Sequence, residues 1–185
     1  AAPGLDIQIT TESAGIYGVE EQLACLKALT PTYATAAIRE TMRDAGIAAK
    51  LYAFAAEHRI RMQHILFDSE DIDLLRQAYA SGMIADDSRD AIFVLGRYVP
   101  PRLAQTWELK PLLDKAADLR LDWAVCAFGK HETACLTKAL KRGGSVRVGF
   151  ENNIHMPDGS LAVSNRDQVA NMARIRAEIQ AGGSA

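Results

Sequence analysis

One alternation, short β-rich apolar runs followed by longer amphipathic stretches, repeats along the whole chain and restricts its fold more than any other feature. The runs 5–11, 33–39, 61–68, 91–96, 122–128 and 146–150 read as strands. Helices are expected near 19–29, 48–58, 70–81, 110–119, 132–141 and 165–180. Within them apolar residues recur three and four apart, as in Leu23, Leu26 and Leu29 or Leu112, Leu113, Ala116 and Leu119. That spacing lines one face of a helix. The strands are almost continuously apolar, which fits a parallel sheet covered on both faces. Consecutive βα units imply such a sheet with helices packed outside it, so the fold class is α/β.

Two architectures accommodate six units: a doubly wound open sheet, or a (βα)8 TIM barrel lacking two units. The nucleotide-binding form of the open sheet calls for a Gly-rich turn after the first strand. The segment there is Thr10-Thr11-Glu12-Ser13-Ala14-Gly15, with neither GxGxxG nor a P-loop. A barrel gathers its chemistry at the C-terminal ends of its strands. Polar groups do follow the runs: Thr10, Thr11 and Glu12; Arg39 and Glu40; Asp68; Arg97; Lys130 and His131; Glu151, Asn152 and Asn153. Strands in any α/β protein end in polar loops, so periodicity by itself leaves both architectures open.

Charge narrows the partners. With 21 Lys+Arg against 23 Asp+Glu in 185 residues, the net charge is −2. No basic excess exists to neutralise phosphates, so nucleic acid is not an expected partner. A membrane is not expected either, since no apolar run reaches the roughly 20 residues of a bilayer span. The opening Ala1-Ala2-Pro3-Gly4 has no initiator Met and no signal-peptide pattern. Cys25, Cys126 and Cys135 are odd in number and form no CxxC pair, which suits a reducing, cytoplasmic setting. Cys126, inside Trp123-Ala124-Val125-Cys126-Ala127-Phe128, reads as a small buried hydrophobe.

Specific segments go further. The octad Val146-Arg147-Val148-Gly149-Phe150-Glu151-Asn152-Asn153, with Pro157-Asp158-Gly159 and Ser164-Asn165 after it, closely resembles the closing strand of the beta-keto acid cleavage enzyme family. Gln8-Ile9-Thr10-Thr11-Glu12 with Gly15, Tyr17 and Gln22 is similar to the third strand and loop of one branch of that family. Ala37 to Glu40, Gln63 to Asp68, Phe93 to Tyr98 and Trp123 to Gly129 follow in the order the family shows. The resemblance implies a (βα)8 barrel in which residues 1–185 form a single domain, the C-terminal two-thirds to three-quarters. A whole barrel takes about 250 residues, so the resemblance carries the expectation that the chain is a fragment.

The activity it implies is a retro-Claisen-type exchange: a 3-oxo carboxylic acid and acetyl-CoA become acetoacetate and a new acyl-CoA. The family's zinc is held by an HxH pair on the second strand and a glutamate on the last, which matches Glu151. The arginine four residues earlier matches Arg147. Four residues along a regular strand is an even step, so both side chains would face one side. A non-catalytic scaffold, or a metal-dependent aldolase without CoA chemistry, remains as an alternative. A homo-oligomer, by resemblance a tetramer, is expected.

Two departures bear on the chemistry. No HxH occurs, because His58, His64, His131 and His155 all stand apart. The Zn2+ imidazoles are therefore expected upstream of residue 1, and the isolated chain is expected to bind well under one equivalent of zinc. His58 reads as a cap, His64 as a satisfied core or barrel-mouth residue, His131 as the best placed for a ligand and His155 as a stray ligand candidate. The residue after the metal glutamate is Asn152 where characterised members carry a catalytic aspartate, and an amide cannot act as a base. Glu12 or Glu40 could supply the missing carboxylate. Thr10 and Thr11 offer hydroxyls to the substrate, and Arg39 or Arg97 a cation for its carboxylate. Trp107 and Trp123 read as packing residues, Asp86, Asp87 and Asp90 as a solvated loop, and 182–185 as a frayed tail.

Overall fold

The computed structural model describes residues 4–13 and 15–182. The chain divides into two compact units, one built on residues up to 91 together with 118–121, the other on 92–117 and 122 onward.

The first unit runs β1 (Gln8–Thr10), α1 (Val19–Leu29), β2 (Tyr33–Ala37), α2 (Ile38–Thr41), α3 (Ala45–Glu57), β3 (Arg61–Leu66) and α4 (Ser69–Ala80). Strand β2 lies between β1 and β3 and is parallel to both, with Ile9 beside Ala34 and Ala36 beside His64. Its alanines are poor strand formers, yet Ala34, Ala36 and Ala37 are fully buried. Burial on both faces, not propensity, makes the strand. Leu26, Ile38, Leu51, Leu66, Ile72 and Leu75 fill the core around it. Helix starts are set by side chains that accept otherwise orphaned amides: Asp44 caps α3 at the Ile47 N–H (2.9 Å), and Asp68 caps α4 at the Glu70 and Asp71 N–H groups (3.0 and 3.3 Å).

The second unit takes up β4 (Asp90–Leu95) after its first two residues, then α5 (Leu109–Lys115), β5 (Asp122–Ala127), α6 (Glu132–Lys141), β6 (Ser145–Val146) and α7 (Asn165–Gly182). Its strands stand in the order β4, β5, β6, and β5 and β6 are parallel with Val125 beside Val146. The Phe128 N–H donates to the Leu95 carbonyl (2.9 Å) just past the ends of β4 and β5. Buried Phe93, Val125, Cys126, Cys135, Leu136 and Ala139 form the core. Gly96 has φ +73°, and a Cβ there would meet the Arg102 carbonyl oxygen at 2.6 Å, so only glycine fits this strand end. Successive βα units whose strands neighbour each other in chain order define an α/β fold, a partial (βα)8 barrel of six units.

Several expectations change in detail. The second strand stops at Ala37, and Arg39 and Glu40 lie on the single-turn helix α2 rather than in a strand-end loop. The last strand keeps only two residues, because the backbone turns from Gly149 to Asn152. The even-step argument for Arg147 and Glu151 therefore does not apply; a turn sets their relation. Trp123 packs beside Phe93 (ring centroids 6.3 Å), but Trp107 is 65% exposed and packs no core. Asp90 is not a solvated loop residue: it begins β4 and accepts from Arg61 Nε and Nη2 (2.5 and 2.7 Å). Residues 183–185 of the expected tail lie outside the described residues, and Gly182 ends α7.

His64 is a core residue, fully buried, with Nδ1 at 3.4 Å from the Tyr52 hydroxyl. Burial pushes its pKa down to about 4, against weaker opposing effects of Asp90 and the Ser88 backbone. The unfolded chain binds this proton more readily than the folded one. Stability present above about pH 6.5 should therefore fall with pH through the window from 6.5 to about 4, by roughly 3 kcal/mol in all. Urea midpoints measured from pH 7 to 4 test this. The slope should flatten in His64→Leu, and an unchanged slope would remove His64 as its source.

Candidate active site

The most specific segment of the sequence folds as one cluster in the second unit. Arg147 leaves β6 with its N–H donated to the Val125 carbonyl (2.9 Å), which aims the side chain along the end of β5. Its Nη2 donates to Asn152 Oδ1 (3.3 Å) and Cys126 Sγ (3.4 Å), and stands 3.7 Å from Glu151 Oε2. The turn that follows is closed by the Gly149 carbonyl, which accepts the N–H groups of Asn152 (2.9 Å) and Asn153 (3.1 Å). Glu151 projects outward at 68% exposure while Asn152 is buried.

Because Asn152 Oδ1 accepts from Arg147, its Nδ2 is fixed as the opposite, donating end. That Nδ2 and Arg147 Nε are both buried without a partner among the described residues. Buried donors lacking acceptors are costly. Two of them beside an arginine and an exposed carboxylate make a place suited to an anionic oxygen.

The first unit holds the remaining predicted residues in two separate networks. Glu40 is buried, and its Oε2 accepts from the Ser13 N–H (2.7 Å) and Gln22 Nε2 (3.1 Å). Gln22 Nε2 also donates to the Thr11 carbonyl (2.8 Å), and the Thr11 hydroxyl to the Thr35 carbonyl (2.9 Å). Glu40 and Thr11 thus hold the loop after β1 in place. Thr10 and Glu12 are exposed, and Thr10 Oγ1 accepts the Glu12 N–H (3.1 Å). Arg39 is engaged elsewhere: its Nε and Nη2 donate to Asp71 (both 2.7 Å), and Nη2 also to Asp68 (2.5 Å). The bonds to Asp71 are the main reason its pKa lies above the ordinary arginine value.

A profile of the beta-keto acid cleavage enzyme family matches residues 1–182. The chain belongs to the beta-keto acid cleavage enzyme family. A curated relative is the 3-keto-5-aminohexanoate cleavage enzyme of Fusobacterium nucleatum subsp. nucleatum, 39% identical over 57 residues. That stretch is 31% of this chain and 21% of the relative, so the chain spans about a fifth of the length of the curated protein it matches.

For a member of the beta-keto acid cleavage enzyme family the question of zinc follows at once. A catalytic zinc takes about three protein ligands. Among the described residues no three His, Cys, Asp or Glu side chains converge. His58 Nδ1 lies 3.0 Å from the Phe54 carbonyl, His131 Nδ1 lies 3.0 Å from the Ala104 carbonyl, and His155 sits in a backbone bridge with Leu161. Glu151 is a fitting single carboxylate, but the donors present here do not hold the metal by themselves. Among the described residues no helix is long and apolar enough to cross a membrane.

Other polar residues of this family member escaped the sequence reading: Glu132 and Gln168, both buried, and Cys126 as a neighbour of Arg147. A signal existed. Glu132 shares its helix face with Cys135, Leu136 and Ala139, as Gln22 does with Val19, Leu23 and Leu26. A polar residue in an apolar stripe is either unfavourable or bound to something.

Proposed function

We propose that this member of the family exchanges the acyl portion of a 3-oxo carboxylic acid with acetyl-CoA, giving acetoacetate and a new acyl-CoA. The family match over nearly the whole chain supports the chemistry. The observation that carries it in this molecule is the pair of unpartnered donors, Arg147 Nε and Asn152 Nδ2, beside Glu151. Carbon–carbon exchange at a keto group develops negative charge on the keto oxygen, and preorganised donors stabilise that charge. In this reading Arg147 supplies charge, Asn152 supplies an N–H, and neither moves a proton.

Glu151 would be one ligand of a bound zinc whose remaining ligands the described residues do not supply, and such an ion would lend Lewis acidity to a keto oxygen. For the carboxylate of proton transfer the sequence offers Glu12, on the loop after β1, or Glu40. Thr10, exposed beside Glu12, offers its hydroxyl to the substrate, whereas the Arg39 guanidinium is held by Asp71 and Asp68.

The test uses the full-length protein with zinc and acetyl-CoA, offered a panel of 3-oxo acids differing in side chain. Acetoacetate and a CoA ester should appear together in equal amounts from at least one acid. Glu151→Gln should abolish turnover and reduce bound zinc. If no acid in the panel yields a CoA ester, the CoA chemistry is wrong.

A further inference from the structure

We propose that Glu132 is a positioning residue that locks the turn from Gly149 to Asn153, gripping the Asn153 amide from one side while Gln168 grips its backbone from the other. The inference rests on the reading above for what the turn is for; the lock itself rests on geometry alone. Asn153 Nδ2 donates to Glu132 Oε2 (3.0 Å) and to the His155 carbonyl (2.7 Å), and its Oδ1 accepts the His155 N–H (3.1 Å). Gln168 Nε2 donates to the Asn153 carbonyl (2.6 Å). Every orientation in this set is determined, since Asn153 Nδ2 has two acceptors and Gln168 must present its nitrogen to a carbonyl. Glu132, Asn153 and Gln168 are 3%, 6% and 4% exposed.

A buried carboxylate is an expensive way to fasten a loop. Burial pushes the Glu132 pKa up to about 7, opposed by Asn153, the Gly149 amide and the charge of Arg147. Apolar residues at 132, 153 and 168 would pack the same space without that cost. What they could not do is fix the turn in one register. The turn carries both Glu151 and Asn152, and Asn152 Oδ1 reaches Arg147 at the marginal distance of 3.3 Å. A small drift would break that contact, and misplacement by about 1 Å can cost a hundredfold in rate. A helix start suits the role: Glu132 is the first residue of α6, where the helix dipole favours an anion.

Amide hydrogen exchange on the full-length protein tests the lock independently of any reaction. In Glu132→Ala the amides of Asn152, Asn153 and His155 should exchange at least about tenfold faster, while those of β4 and β5 keep their protection. Glu132→Asp, which keeps the charge but is one methylene shorter, should release the same amides and covers the case in which the alanine variant does not fold. Glu132→Gln, whose amide oxygen still accepts from Asn153, should restore most of the protection. In turnover assays Glu132→Ala should lower kcat about tenfold or more with KM nearly unchanged, and the glutamine variant should recover most of it. Unchanged exchange in the turn, equal loss throughout β4 and β5, or no difference between the glutamine and alanine variants would each overturn the lock. Faster exchange in a protein whose wild type forms no CoA ester would keep the lock and remove the proposed reaction.

Discussion

Replacing Arg147 by alanine is expected to lower kcat/KM of the full-length enzyme by about two to three orders of magnitude, the usual effect of removing one stabilising donor of a developing oxyanion. The guanidinium leaves three things behind: Asn152 Oδ1 without its donor, Glu151 without its cation at 3.7 Å, and an empty place beside Cys126. Bound zinc should change little, since Arg147 touches the proposed ligand only by charge. Arg147→Lys should recover only a small part. An ammonium cannot serve Asn152, Cys126 and an incoming oxygen at once, as the planar fork does. Steady-state kinetics with parallel metal analysis decides it. A loss smaller than about fivefold would mean that the cation only shapes the turn.

The second large effect is on stability. Arg39→Ala should destabilise the first unit by about 3 kcal/mol, because it leaves the buried Asp71 carboxylate without its cation. Asp71 is 1% exposed, takes two bonds from Arg39 at 2.7 Å, and would retain, among the described residues, the Phe67 N–H at 2.6 Å. Asp68 is half exposed and suffers less. Burial works to raise its pKa, but Arg39 and the α4 cap amides hold it below the usual carboxylate range. The double variant Arg39→Ala/Asp71→Ala should be less destabilised than the two single losses added together, since it leaves no buried charge alone. Urea midpoints of the four proteins give the coupling. A single-variant loss under about 1 kcal/mol would show that solvent already screens the pair.

The fold was legible in the sequence because its signal is periodic. Apolar runs and three-and-four spacing announced the strands and helices, but the Asp44 cap places the start of α3 at Ala45, ahead of the residue 48 at which its period becomes visible. What escaped was local or long-range. Helix α2 is a single turn, too short for any period to register, so Arg39 and Glu40 looked like strand-end groups. Strand β6 ends after two residues because Gly149 opens a turn, which no hydropathy pattern distinguishes from a strand of alternating character. The partners of Arg39 lie 29 and 32 positions away, and those of Glu40 lie 18 and 27 away. Only folding reveals such distances. The Arg147, Glu151 and Asn152 cluster was legible through family resemblance, and its free N–H groups were not.

The amide at position 152 has one more consequence. A carboxylate beside a guanidinium would gain or lose its proton somewhere in the acidic range, and the contact between the two would change with it. Asn152 carries no titrating proton in that range, so its contact with Arg147 has the same character in mildly acidic and mildly alkaline buffer. Any bend in a plot of rate against acidity must then be assigned to a different group.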